Sequence, residues 1–159
     1  MKLFFECGLN DPDEFRPFLA CAIAEYARHT KKFYLTIVGN RKEYQRLKIF
    51  DFLLSSLEDV ESTTLAISNV VYFNAMEERT GQCLFTKLRA VSYKSQYGLL
   101  EEELCDLKTF LMRRVRAGHP LSTIDFQVPE NNQAEIFHAL KEVPGLQITY
   151  VEHSKTKVR

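Results

Sequence analysis

The amino-acid sequence predicts an α/β fold in which about six short parallel strands lie in sequential order, with helices covering one face of the sheet. Stretches with an apolar residue at every second position recur along the 159-residue chain, as expected of half-buried strands. The segments between them have the apolar spacing and the end residues of helices. The residues that alternate with the apolar ones are mostly polar, so the second face of the sheet should meet water.

Six segments have the strand pattern, near residues 3–6, 34–38, 64–68, 89–94, 121–127 and 146–151. The first apolar residues of the alternating pairs are Leu3, Leu35, Leu65, Val91, Ile124 and Leu146. These positions are 32, 30, 26, 33 and 22 residues apart, and a period in this range indicates a repeat architecture. The residues expected to be buried against the helices are Leu35, Ile37, Leu65, Ile67, Val91, Ile124 and Phe126.

Helices are predicted between most of these strands. The first begins at Asp11, an N-cap residue followed by Pro12 at the first helical position, and the second follows in KEYQRLKIFDFLLSSL. The third, LLEEELCDLKTFLMRRVR, has carboxylates at its start and arginines at its end, which suits the helix dipole, and Gly118 should end it. The fourth lies in NNQAEIFHAL, before Pro144. The stretch NVVYFNAMEERTGQCLF has no clear period, and we expect a short helix or a loop there.

Two architectures satisfy this alternation of strands and helices. In a doubly wound sheet both faces are covered, so its strands are continuous apolar runs. Here polar residues such as Thr36, Ser92 and Asp125 interrupt the strands, which favours a curved solenoid with one open face over the doubly wound alternative. We expect residues 1–152 to form a single β-α repeat domain and residues 153–159 to form a polar tail.

The composition is that of an ordinary globular protein, with 45% hydrophobic and 26% charged residues. The formal net charge is zero, which argues against nucleic acid as a partner held through its phosphates. No apolar run approaches the ~20 residues of a membrane span and no secretory signal is apparent, so we expect an intracellular protein, cytoplasmic or nuclear. The four cysteines form no CxxC pair, so neither a metal nor a cofactor is expected, and the thiols should be reduced and mostly buried.

The sequence lacks the common enzyme motifs. None of GxGxxG, the P-loop, HExxH or GxSxG occurs, and nothing in the sequence brings a histidine to Cys7, so we expect no catalytic residues. The basic run Arg113, Arg114 and Arg116 is expected to be a solvated helix end. Its alternative interpretation is a phosphate-binding patch.

Three short phrases carry a family resemblance. KFYLTIVGN fits the middle of the leucine-rich-repeat template, with Leu35 and Ile37 at apolar positions and Asn40 at the asparagine position. Residues 85–89 (FTKLR) and 118–121 (GHPL) flank a helix that ends in basic residues. These last two phrases, with the helix between them, resemble the irregular leucine-rich repeats of fungal F-box-like proteins, in which F-x-x-L-R opens a strand and G-x-P-L leads into the next. The resemblance covers roughly residues 57–151 and implies the repeat part alone, because no F-box motif is apparent.

The polar residues of the strands share one face, which is the candidate site. We predict that a partner binds across Glu6, Tyr34, Thr36, Ser68, Ser92, Asp125, Gln127 and Gln147. Open faces of solenoids commonly bind proteins or peptides, so the predicted function is a non-catalytic interaction module. End strands with apolar edges also favour homo-oligomers. The alternative is a small-ligand-binding domain or an enzyme with its site at the carboxyl ends of the strands, near Gly39 and Asn40.

Overall fold

The computed structural model of the chain describes residues 2–8, 29–38, 54–55, 57–65, 67–95 and 98–151. The strands are β1 Lys2–Gly8, β2 Lys32–Val38, β3 Ser62–Leu65, β4 Ala90–Lys94, β5 Thr123–Gln127 and β6 Gln147–Tyr150. The helices are α1 Ile67–Thr80, α2 Glu101–Arg116 and α3 Gln133–Leu140, with a 3₁₀ turn at Glu130–Asn132 before α3. The predicted first helix, most of the second one and the polar tail lie outside the described residues.

All six described strands belong to one sheet in the order β1-β2-β3-β4-β5-β6, and each pairs in parallel with the next. The equivalent positions at the strand starts are Lys2, Lys32, Ser62, Ala90, Thr123 and Gln147. The predicted α/β fold with a sequential parallel sheet is therefore confirmed. A doubly wound sheet reverses its strand order, and these six strands do not, so that alternative does not fit.

One face of the sheet carries two rows of mostly apolar residues, and we call it the inner face. The first row is Phe33, Thr63, Val91, Ile124 and Ile148, and the second is Leu35, Leu65, Tyr93, Phe126 and Tyr150. The predicted core residues Leu65, Val91, Ile124 and Phe126 are buried, as expected. Leu35 shares this face by its register, whereas its side chain and that of Ile37 lie outside the description.

Aromatic rings join the inner face to the helices. The rings of Phe73 in α1 and Phe85 stand edge to face with centroids 5.2 Å apart, and Phe33 of β2 lies 6.1 Å from Phe85. Phe110 of α2 lies 6.1 Å from Phe73. Residues of α3 complete the same core, so all three described helices contribute to the layer that covers the inner face. Such ring pairs stabilise a core beyond the area that they bury.

The prediction was wrong around the third strand. The strand ends at Leu65 and α1 begins at Ile67, so Ile67 is not a strand residue. The strand lies two residues nearer the N-terminus than expected because Thr63 takes an inner position. Its buried hydroxyl donates to the Phe33 carbonyl oxygen at 2.8 Å, which satisfies the polar group inside the core. The stretch expected to be a short helix or a loop contains a helix of 14 residues.

Helix α2 agrees with its prediction. The Glu103 carboxylate accepts the Leu100 N–H at 2.7 Å, so an acidic residue of the first turn caps the helix start. Gly118 follows the last turn with a φ of 79°, a conformation that glycine adopts without strain. The fourth predicted helix is α3. None of the described helices is long and apolar enough to cross a membrane.

The same backbone arrangement recurs where the strands begin. A single carbonyl oxygen accepts two consecutive N–H groups of the next repeat. Lys31 O accepts Glu61 and Ser62, Glu61 O accepts Arg89 and Ala90, and Arg89 O accepts Ser122 and Thr123, at 2.8–3.2 Å. The strands β3, β4 and β5 therefore each begin beside the residue that directly precedes the neighbouring strand. This contact fixes the register from one repeat to the next.

Candidate functional site on the open sheet face

The face opposite the core consists mainly of polar side chains, and we call it the open face. Its described members are Lys32, Tyr34, Ser62, Thr64, Ala90, Ser92, Lys94, Thr123, Asp125, Gln127, Gln147 and Thr149. Each of them is exposed or half-buried. They share a face because successive side chains of a strand alternate in direction, and the inner positions are occupied by core residues. The surface thus offers hydroxyl, amide and charged groups to a partner.

The structure places most of the predicted site residues on this face. Tyr34, Ser92, Asp125, Gln127 and Gln147 are all members of it, as predicted. They come together because the register puts the same strand position of successive repeats side by side.

Two further predicted residues, Glu6 and Thr36, are assigned to this face from the strand register only. Glu6 of β1 pairs with Thr36 of β2, two positions beyond Tyr34. Their side chains lie outside the description. The prediction was wrong for Ser68. This residue lies in the first turn of α1 and so does not belong to the sheet. The physical reason is the early end of β3 at Leu65.

Asp125 occupies the middle of a cross-strand row. Ser92 is its direct neighbour in β4, and Thr149 is its direct neighbour in β6. The Thr149 hydroxyl donates to Asp125 Oδ1. This bond fixes the orientation of the half-buried carboxylate and leaves Oδ2 without a hydrogen-bond partner among the described residues.

A cleft of about 290 Å³ opens beside this row. It is lined by Thr64, Ser92, Tyr93, Lys94, Asp125, Gln127 and Val151. Val151 follows β6, where its N–H donates to the Phe126 carbonyl oxygen at 2.8 Å. Its side chain is 52% exposed and gives the otherwise polar cleft an apolar wall. Sequence reasoning missed Val151, although it continues the alternation two positions after Thr149.

The cleft contains two opposite charges that do not pair with each other. Lys94 lies opposite Gln127, one diagonal step from Asp125. Within the part of the chain that the structure describes, the exposed Lys94 ammonium has no ion-pair partner. The buried Tyr93 adds no third charge to the cleft, and burial raises the pKa of its phenol to about 12. The two charges are therefore both available to a bound molecule.

The basic end of α2 is only partly the solvated surface that was expected, since Arg116 is exposed, Arg113 is half-buried and Arg114 is not solvated. Arg114 is fully buried, and its guanidinium donates to the carbonyl oxygens of Leu84 at 2.6 Å, Phe85 at 3.0 Å and Leu88 at 3.3 Å. Arg113 donates to the Asn74 carbonyl oxygen at 2.9 Å. Arg114 thus holds the loop before β4, whereas Arg113 joins α2 to α1, so a phosphate-binding patch does not fit Arg114.

A carboxyl and a thiol lie next to this buried arginine. Glu77 accepts the Leu84 N–H at 2.9 Å, and burial raises the pKa of its carboxyl. Burial likewise raises the pKa of the Cys83 thiol, although Arg114 acts in the opposite direction. A raised pKa keeps Cys83 in the less nucleophilic thiol form. Cys83 is half-buried and Cys105 is exposed, so the expectation of mostly buried thiols is wrong for Cys105.

Comparison of this chain with protein-family models, with curated proteins and with solved structures gives no match.

Proposed function

We propose that this chain is a leucine-rich-repeat-like solenoid that acts as a non-catalytic interaction module and binds a protein or peptide partner through the open face. The observation that carries the proposal is the contrast between the two faces of one sequential parallel sheet. The inner face is buried under helices, whereas the open face carries unburied polar side chains and a cleft. Concave faces of this kind are the usual binding surfaces of solenoid proteins.

The recurrence of backbone geometry supports the solenoid part of the proposal. The paired acceptance of N–H groups by Lys31, Glu61 and Arg89 repeats from one unit to the next. Ion pairs join the same units, with Lys31 Nζ 2.9 Å from Glu61 and Lys87 Nζ 2.6 Å from Asp59. Each unit thus contacts its neighbour through equivalent positions, which is the organisation of a repeat protein.

The size of the face limits the interface. Six strands about 4.8 Å apart span only about 24 Å, which suits a peptide or a single helix. An interface of this width falls toward the small end of specific protein complexes, so we propose a modest affinity for a single chain.

The alternative function is a small-ligand-binding domain or an enzyme. The position of the cleft favours this alternative, because Lys94 and Gln127 are the last residues of their strands. Parallel α/β sheets bind ligands at the carboxyl ends of their strands. The cleft is small, however, and ligand pockets commonly enclose about 300–1,000 Å³. The ordered spread of polar groups along the face is better suited to an extended partner than to chemistry at one point.

The test is a pair of matched double variants in a pull-down from cell lysate. Ser92→Arg with Asp125→Arg places two large cations on the open face. Thr109→Arg with Glu135→Arg makes the same change in charge on exposed positions of α2 and α3. We expect the first variant to lose the bound partner and the second to keep it, with both variants folded. Retention of the partner by the open-face variant would contradict the proposal.

A further inference from the structure

The cleft beside Asp125 has the chemistry of a socket for one basic side chain. We propose that it takes an arginine side chain from a peptide segment of the partner, with the guanidinium on Asp125. This inference rests on the binding function proposed above and specifies the partner of the same face. It is carried by the room in the cleft, by the Asp125 carboxylate that Thr149 orients in its lining and by its apolar wall.

The cleft has room for one long side chain. About 290 Å³ lies just below the range of about 300–1,000 Å³ that is usual for small-molecule pockets. The wall formed by the half-exposed Val151 suits the aliphatic stem of a long basic residue, which packs on apolar surface while its charged head reaches a polar group. The partner would thus insert one side chain while its backbone crosses the strands.

The Asp125 carboxylate is held in one orientation before a cation binds. Thr149 donates to Oδ1 of Asp125 and holds the group in one orientation, so little conformational freedom is lost when a partner binds. The second oxygen is unpartnered among the described residues, and Asp125 as a residue is half-buried. A guanidinium supplies several donors in one plane, and such charge-assisted bonds are stronger than neutral ones. The hydroxyl of Ser92, next to Asp125, offers a further acceptor.

Lys94 allows the charge of the inserted side chain to be tested. Lys94 lines the cleft and is exposed, so removal of its charge should relieve repulsion of an incoming cation. If the partner instead inserted a carboxylate, Lys94 would be its attachment point and Asp125 would repel it. The two alternatives therefore predict opposite effects for the same two substitutions.

The experiment is selection of displayed random nonapeptides on the purified full chain, followed by affinity measurement with one selected peptide. We expect arginine to be enriched at one position, and its replacement by neutral, nearly isosteric citrulline to weaken binding at least about tenfold, as expected for loss of a charge-assisted hydrogen bond. Asp125→Asn should weaken binding by a similar factor, because the amide keeps the Thr149 bond and loses the charge. Lys94→Gln should strengthen binding severalfold, and Glu135→Gln on α3 should leave it unchanged.

The opposite pattern would overturn the inference. Selected peptides without a basic residue, or binding that Asp125→Asn leaves intact or that Lys94→Gln abolishes, would mean that the cleft does not hold a cation. If those peptides still fail to bind the Ser92→Arg and Asp125→Arg double variant, the open face remains the binding surface and only the arginine is wrong. If no peptide depends on that face, both proposals fail. The citrulline peptide keeps the test valid even if Asp125→Asn unfolds the chain.

Discussion

Substitution of Phe126 by alanine tests the orientation of the sheet. The side chain is 0% exposed in the middle of β5, and its ring lies 5.7 Å from that of Tyr93 and 6.2 Å from that of Tyr150. Buried Phe→Ala changes cost about 3–5 kcal/mol through lost transfer free energy and the remaining cavity. Tyr150 cannot fill the space freely, since its hydroxyl donates to the Gln133 carbonyl oxygen at 2.8 Å. We therefore expect a loss of about 4 kcal/mol in the free energy of unfolding.

Urea unfolding followed by circular dichroism measures this loss, and Phe137→Ala is the matched control. Phe137 is 55% exposed on α3, so its removal should cost well under about 1 kcal/mol. If Phe126→Ala also lowers the free energy of unfolding by less than about 1 kcal/mol, the burial of Phe126 in the core is contradicted. Such a result would mean that Phe126 faces water and that the strand register is displaced by one residue, which exchanges the inner and open faces.

Three further predictions concern the arginine cluster and the end of the sheet. Arg114→Met should cost about 3 kcal/mol or more in urea unfolding, because three carbonyl oxygens lose a charged donor, and Arg114→Lys should not restore it. The raised pKa of Glu77 means that the folded state holds this proton more tightly, so stability should fall as pH rises from 4.5, and Glu77→Gln should lose that part of the pH dependence. Light scattering should reveal self-association through the edge of β6, reduced by Val151→Lys; a mass that is monomeric at all concentrations would contradict this.

Most of the sheet could be predicted from the sequence because its signal is local. The alternation around Val91, Ile124 and Phe126 identified both the strands and the direction of their side chains. The same alternation placed Ser92 and Asp125 on one open face. The register between strands was predicted less well: Leu65 was aligned with Val91 but pairs with Tyr93, and Leu146, aligned with Ile124, lies before β6, where Ile148 takes that position.

Helix α1 was predicted only as a short helix or a loop, because several of its polar residues are buried rather than solvated. Asn74 donates from its side-chain amide to the Asp106 carbonyl oxygen at 2.9 Å, and Glu77 accepts the Leu84 N–H. A pattern that treats polar residues as exposed cannot find a helix that is packed on several sides. The partner of Asn74 is 32 residues away and that of Glu77 lies in the loop after the helix, so the helix pattern itself does not indicate their burial.

Arg114 was misinterpreted for the same reason. A cation in the last turn of a helix is normally explained by the helix dipole, and nothing nearby in sequence signals the three carbonyl oxygens that it binds 26–30 residues earlier. The cleft was also beyond sequence reasoning, because it depends on Val151, which follows β6, lining the same space as Asp125 and Lys94.

Site-specific photo-crosslinking in living cells tests the central claim most directly. A benzophenone amino acid would replace Ser92 or Gln147 on the open face, or Thr109 on the exposed surface of α2, and all three positions are exposed. We expect a discrete adduct with a partner from Ser92 and Gln147 and none from Thr109. An adduct from Thr109 alone, or no adduct from either open-face position, would contradict it.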